Sequence, residues 1–525
     1  MKYKKFLFIP LVTTLFLSCT KLDEKLLEST TTVPTSGGGG AGSLPAVLKS
    51  VYNSMQGTYQ DQGNIYALQE MTTDALIGPT RGPDWDDNGA WRVLHAHRWD
   101  GDNLHIKDVF SQLLTTVFLA TDYLRFDATS QGASEARYLR AFSNYLVLDL
   151  WNQVPYREPG ESTLEAAKVR KGLEALDYII SELNAIIPTL PVSGGANKGR
   201  ANKDAAKVLL MKCYLNRGVY ANRSAPTFAA ADMNQVITSA DQIITSGTYT
   251  YSTNYFDNFA PANTVIGKEN IWVQENVVGV SGSTGPTVRS RWHSGMHYNQ
   301  NPGGWNGFTT LSDYYNKFEA SDKRRGVAYV TPGAANPGNR VNVGFLIGQQ
   351  YDFNTDAPLT DRSGVPLVFT PAVKLIENGA DLERTGIRAY KYPIDYANDG
   401  SGNIDNDYVF FRLGDVLLMK AEAILRGGTA TAAGTYGSTA LDIVNNLRVD
   451  RGATALGSLT LDNLIDERAR EMYLESWRRQ DLVRFGKFLQ PFQLKTDVSD
   501  PKYLLFAIPN PQLAANPNLT RNPGY

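Results

Sequence analysis

Apolar side chains recur every three or four positions through much of this chain, the spacing that gives an α-helix one buried face. In Ser134–Trp151, the residues Leu139, Phe142, Leu146 and Leu150 share such a face, and a helix is predicted there. The same pattern predicts helices over Asp108–Asp127, where Phe110, Leu114, Phe118 and Tyr123 are apolar positions, and over Lys171–Ile187, stopped by Pro188. Asn202–Arg217 starts at an Asn cap and is expected to end at Gly218; Ala229–Ser246 is stopped by Gly247. Towards the C-terminus the spacing returns in Leu413–Arg426, Ser438–Arg451 and Leu461–Trp477.

Between Tyr249 and Asn406 the helical period fades, and Gly, Asn, Pro and aromatic residues take over, with short strands such as Ile271–Gln274. Loops that long are commonly functional surfaces. The expected fold is therefore mostly α. Tetratricopeptide-like helix pairs form its scaffold, with small residues such as Ala205, Ala206, Ala421 and Ala423 at close contacts, and a long loop-rich insert carries the ligand surface. No strict repeat period runs through the helices, so a regular solenoid is not expected. The body divides into an N-terminal part of about 44–250, an insert of about 250–406 and a C-terminal helical part of about 407–525. A hydrophobic content of 42% over 525 residues is enough for one large buried core.

The first residues follow a different logic. Lys2, Lys4 and Lys5 precede the apolar run Phe6–Leu17, which is too short to span a bilayer, and Ser18-Cys19 follows. This resembles a bacterial lipoprotein signal: residues 1–18 would be removed and Cys19 would become a lipidated N-terminus. Phe16 stands where the usual box has Leu, and a plain secretory signal is the alternative. Residues 19–43, with "STTTVPTSGGGGAGS", read as a lipid anchor and flexible linker. The stretch "KLDEK" just after Cys19 carries acidic residues and resembles an export signal for cell-surface lipoproteins of Bacteroidota. With Cys19 lipidated, Cys213 is left without a disulfide partner, in an apolar helical run where it packs as a small hydrophobe. The formal net charge is −2 with no basic run, which argues against a nucleic-acid partner.

Four later segments, in order, resemble the SusD/RagB family. They are Ser134–Tyr156, a helix leading into a Trp-containing loop; Asp407–Arg426, through Arg412, Asp415 and Glu422; Ile465–Gly486, with its Glu, Arg and Asp-Leu-x-Arg pattern; and the tail Ile508–Tyr525. Asn152-Gln153, Gln512 and Arg521 depart from the family's usual residues. The resemblance implies a non-enzymatic glycan-binding lipoprotein of the outer membrane. It would be lipid-anchored, facing the cell surface, and would deliver oligosaccharide or polysaccharide to a SusC-like TonB-dependent transporter. A RagB-type peptide-binding import lipoprotein is the alternative, and a glycoside hydrolase a more distant one.

Two aromatic segments carry the candidate site. "RGPDWDDNGAWRVLHAHRWDGDN", Arg81–Asn103, resembles an early family segment through Thr80, Arg81, Trp85, Trp91, His95, His97 and Trp99. An indole face has negative potential and stacks on the C–H face of a sugar ring, while polar neighbours bond the hydroxyls. Trp85, Trp91 and Trp99 are therefore read as stacking residues, Trp99 first among them, with Arg81, Asp84 and Asn103 as polar partners; wedging of these tryptophans onto helices is the other reading. In the insert, Trp292, Tyr298 and Trp305 lie among Gly and Asn and are read as a second half of the platform, and "GWNGF" with the later Asp322…Arg324-Arg325 also resembles a family segment. The histidine pairs His95/His97 and His293/His297 lack the Glu of a zinc-protease motif, and no metal ligands are assigned. Asn398–Asp407 is oxygen-rich and Gly-broken, so calcium is an alternative to a polar turn there, without EF-hand spacing. No cofactor is expected, and no catalytic residue is assigned.

Overall fold

Helices form where apolar positions return on one face, and local capping sets where each begins. The computed structural model describes residues 43–278, 287–331, 340–402 and 404–525. The signal segment, Cys19 and the linker up to residue 42 lie outside them. The longer helices are α1 (Leu44–Gln60), α2 (Leu104–Phe126), α3 (Gln131–Trp151), α4 (Gly172–Ile186), α5 (Lys203–Ala221), α6 (Ala230–Thr245), α7 (Leu413–Leu425), α8 (Ala440–Asp450), α9 (Leu461–Met472) and α10 (Arg478–Arg484).

Four departures from expectation have local causes. Helix α1 was not expected, although Val51, Met55 and Tyr59 recur at spacing four and are buried. Helix α2 starts four residues earlier than predicted because the Asn103 side chain accepts the backbone N–H groups of His105 and Ile106 as an N-cap. Helix α5 runs through Gly218 to Ala221; a Cβ there would lie 1.7 Å from the Thr227 carbonyl oxygen, so this glycine permits a close backbone crossing rather than ending the helix. The predicted Leu461–Trp477 helix breaks after Met472, where Leu474 (φ 57°) and Ser476 (φ 65°) turn the chain into α10.

Each of α1 to α6 packs on its neighbours, α6 passes to α7, and α7 carries α8 and α9. The result is a mostly α scaffold of stacked helix pairs around one continuous apolar cluster. Cys213 is buried within it, and burial pushes its thiol far above the usual range. Phe118, expected on the inner face of α2, is instead 51% exposed.

The strands are short. Asn270–Gln274 pairs antiparallel with Tyr408–Arg412, bringing Trp272 flat onto Phe410 at 4.0 Å between ring centroids. Arg388–Tyr390 pairs with Val343–Leu346, which pairs with Gly326–Val327. Thr80–Arg81 lies parallel to Ile376–Glu377, joining the early aromatic segment to the insert.

Insert and C-terminal helices are tied by buried charge. Glu471, on α9, accepts from Arg412 at 2.5 Å, from Arg451 at 3.0 Å and from Arg324 at 3.0 Å. Arg412 and Arg451 also reach Glu269, and Arg324 reaches Asp322 and Glu467. A second chain of ion pairs runs from Lys212 through Asp415, Arg468 and Asp481 to Arg484, Glu422 and Arg426. Burial alone would push these carboxyls up. The surrounding guanidinium groups outweigh it, holding Glu471 well below the usual range and Glu467 and Glu422 down to about 2.

Because these carboxyls sit lower in the folded than in the unfolded chain, their stabilisation is fully present above about pH 4.5 and is lost as pH falls towards 2. Glu467→Gln leaves arginines uncompensated and is expected to cost about 3–5 kcal/mol. It should also flatten the fall of Tm between pH 4.5 and 2. Scanning calorimetry of both proteins across that range checks this; identical slopes would count against the assignment.

Candidate ligand site

The early aromatic segment is held from beneath by Arg81. Its Nε donates to the Gly307 carbonyl at 3.0 Å, Nη1 to the Leu382 carbonyl at 2.5 Å and to Thr385 Oγ1 at 2.8 Å, and Nη2 to the Thr385 carbonyl at 3.0 Å. Its side chain is buried, and desolvation pulls its guanidinium down to about 10. Arg388 repeats the device, donating to Asn306 Oδ1 at 2.7 Å and to the Glu383 and Thr385 carbonyls. Both arginines are buried and turn their donors to backbone, hydroxyl and amide acceptors of the loops, so they fix loops rather than meet a ligand.

On that base stands Trp85, at φ 60°, its indole N–H donating to the Trp305 carbonyl at 3.0 Å. The ring lies against Gly307, where a Cβ would come within 2.4 Å of the indole, so glycine is what lets it lie on the backbone. Its other neighbours are Phe308 at 4.8 Å, Trp91 at 5.9 Å and Trp305 at 6.4 Å. Trp305 is 39% exposed and is fixed by its backbone N–H to the His293 carbonyl at 2.7 Å. Tyr298 is half-buried and donates its hydroxyl to Asp84 Oδ2 at 2.9 Å; burial and then this bond push the hydroxyl up to about 12. The four residues Asp84, Trp85, Tyr298 and Trp305 thus come together at the surface.

A second layer holds Tyr298 in place. The Arg362 guanidinium lies over the Tyr298 ring, 4.0 Å from its centre, and pairs with Glu383 at 2.5 Å. Glu383 also meets His297 Nε2 at 2.9 Å. Because the Asn299 N–H points at His297 Nδ1 at 3.0 Å, Nδ1 accepts and Nε2 carries the proton given to Glu383. Burial lowers the pKa of this imidazole, in keeping with the neutral form. Burial opposes the Glu383 charge, but the Arg362 amide and side chain hold its carboxyl below the usual range. Arg362, Glu383 and His297 were not among the expected site residues. Their sequence signal, an Asp-Arg-Ser-Gly turn and a lone Glu, is shared by many ordinary loops.

Five expected contact residues are placed elsewhere. Arg81 is the loop clamp and Asn103 the cap of α2, as described. Trp91 is 5% exposed, bonds Asp87 at 2.5 Å and lies 4.0 Å from the His105 ring. Trp99, expected first among the stacking residues, is 2% exposed; it donates to the Tyr525 hydroxyl at 2.7 Å and packs on Tyr503 and Phe506. Trp292 is fully buried and donates to Asp399 at 3.1 Å. Each of these buried indoles has a hydrogen-bond partner; the wedging reading applies to Trp91 and Trp99, and Trp292 is anchored within its own segment.

The histidines are likewise structural. His95 bonds the Gln493 carbonyl, and His97 lies between Ser499 Oγ and the Thr72 carbonyl; desolvation takes them down to about 4 and about 3. In the oxygen-rich stretch, Asp399 meets Arg289, Trp292 and His293, and Asp395 accepts from Asn398 and the Asp405 amide. Among the described residues no group of three or more His, Cys, Asp or Glu is placed to hold a metal ion.

Residues 268–525 match the SusD family. The matched part of the chain is similar to this family from the loop-rich insert to the C-terminus. Its relatives include the starch-binding protein SusD of Bacteroides thetaiotaomicron, 28% identical over 518 residues, with 89% of this chain and 87% of that protein covered. Among solved structures, a SusD superfamily protein of Parabacteroides distasonis superposes with TM-score 0.69 at 19% identity, over 92% of this chain and 98% of that one. Surface glycan-binding protein A of Bacteroides thetaiotaomicron, in complex with laminarihexaose, superposes with TM-score 0.63 at 17% identity, over 91% and 98%. These structures share the fold. The SusD-family match covers Trp292, Tyr298, Trp305, Arg362 and Glu383, whereas Asp84 and Trp85 lie before it.

Stability separates the core indoles from the exposed one. Trp99→Ala removes a buried ring and is expected to cost about 3–5 kcal/mol, while Trp305→Ala should stay within about 0.5 kcal/mol of the parent. Urea titrations of both variants measure the difference, and a Trp305 cost as large as that of Trp99 would mean the Trp305 ring is core.

Proposed function

We propose that this protein is a surface glycan-binding protein whose ligand lies on the face formed by Trp305, Trp85 and Tyr298, with Asp84 and Arg362 at its edge. The single observation that carries the reading is the aromatic face itself: a 39% exposed indole beside two half-buried rings, each fixed by a hydrogen bond. Stacking excludes water from the C–H face of a sugar ring, while Asp84 and the 54% exposed Arg362 offer an acceptor and a donor to its hydroxyls. Pre-fixed rings lose little freedom on binding, which favours affinity. The names of the relatives, a starch-binding protein and a glycan-binding protein held with laminarihexaose, support the ligand class.

A binding role fits the carboxylates as well. Asp86 pairs with Arg92, Asp87 holds Trp91 and Asp102 accepts from Asn510, so each has a local structural task. Similarity to the SusD family supports the wider reading: lipidation at Cys19, an outer-membrane address facing the cell surface, and delivery of captured sugar to a SusC-like transporter. No helix among the described residues is long and apolar enough to cross a membrane, so on this reading the lipid is the anchor.

A glycan-array screen followed by calorimetry tests the site. The parent should retain a glycan without releasing reducing ends, and Trp305→Ala should weaken it by roughly tenfold or more, about 1.4 kcal/mol. Unchanged affinity in Trp305→Ala, Trp85→Ala and Tyr298→Ala alike would remove this face as the site, and released reducing ends would make the protein a hydrolase.

A further inference from the structure

The Asp-Lys-Arg-Arg run, 322–325, splits its two arginines. Arg324 turns into the core, to Asp322, Glu467 and Glu471. Arg325 turns the other way and lines a separate cavity of about 440 Å³, within the roughly 300–1,000 Å³ typical of ligand sites. Phe345, Leu346 and Phe353 give this cavity a buried apolar lining, and Tyr315, Tyr351, Gln349 and Arg340 also border it.

Its chemistry differs from that of the aromatic face. Both bordering tyrosines already carry a guanidinium: Arg340 lies 3.4 Å from the centre of the Tyr351 ring, and Arg325 lies 4.5 Å from that of Tyr315 and donates to its hydroxyl. Neither phenol keeps both faces bare for stacking. Arg340 is paired with Asp356, whereas Arg325 is half-buried and forms no ion pair with a carboxylate among the described residues. A half-buried cation without a counter-charge is a costly arrangement, and an anion entering the cavity relieves it. A guanidinium packed on a ring keeps its N–H edge directed outward, which suits two parallel bonds to a carboxylate or sulfate. Gln349 donates its amide N–H groups to the Gln350 and Leu359 carbonyls, leaving its amide oxygen for a hydroxyl.

We propose that this cavity is a second carbohydrate subsite, selective for a sugar bearing one anionic group, a carboxylate or a sulfate ester, received by Arg325. The sugar part of the ligand rests on the glycan-binding reading above; the anionic part rests on Arg325 alone.

The test titrates the protein with trigalacturonate, galactose 6-sulfate and neutral laminaritriose by saturation-transfer NMR and calorimetry. At least one anionic probe should bind, more weakly as salt rises, and Arg325→Met should lower its affinity by about tenfold to a hundredfold. Arg325→Lys should restore part of this, and Trp305→Ala should leave it unchanged; whichever anion binds identifies the group. Arg325→Gln serves as the second variant if Arg325→Met fails to keep the parent Tm, and it should also weaken the anionic probe. The proposal is overturned if neither anionic probe binds, if binding survives loss of the Arg325 charge in a folded variant, or if Trp305→Ala abolishes it. Failure here leaves the aromatic face standing, because that face is read separately through neutral glycans and Trp305→Ala.

Discussion

The Glu471 carboxylate is the point on which the two ends of this fold are joined. It is fully buried, so its charge persists only because Arg412, Arg451 and Arg324 surround it. Those arginines come from the strand before α7, the end of α8 and the loop-rich insert. Immediately after it, the Glu471 carbonyl accepts the Tyr255 hydroxyl and the Lys391 ammonium. Segments hundreds of residues apart thereby acquire one geometry, which apolar contacts alone, being non-directional, would leave less sharply set. Removing any one partner leaves its counter-charge incompletely compensated in the core, which is costly.

That rigidity passes outward to the candidate site. Arg324 anchors the insert just beyond the "GWNGF" segment, and Arg81 and Arg388 then fix the loops that carry Trp85 and Trp305. The aromatic face is thus a surface feature resting on buried guanidinium groups that touch backbone oxygens. Its rings need not be ordered by a ligand, in keeping with a binding protein that meets extended sugars at an open face.

Legibility differed by element. Helices α2 to α8 were readable because their apolar period is long and local, and Gly218 misled because its cause, the crossing of residue 227, is remote in space. The two aromatic segments do lie side by side: Trp85 meets Trp305, and Tyr298 bonds Asp84. Trp99 misled because its sequence surroundings, Asp100, Gly101 and Asp102, are those of an open loop, whereas its actual neighbours Tyr503, Phe506 and Tyr525 arrive from the far end of the chain. Arg362 and Glu383 gave no distinctive signal, since a turn with an arginine is common and only its position over Tyr298 gives it meaning.

The sequence by itself determined the helical scaffold, the aromatic richness of the two segments and the resemblance to the SusD family. These follow from periodicity and residue type, which are properties of neighbours along the chain. The tertiary structure alone decided which indoles face solvent, which arginines are clamps, and that Arg325 lines a cavity without an ion pair to a carboxylate among the described residues. Exposure and pairing are fixed by what packs against a side chain from elsewhere, and at Trp99 and Trp305 the same residue type is core in one place and surface in the other for that reason.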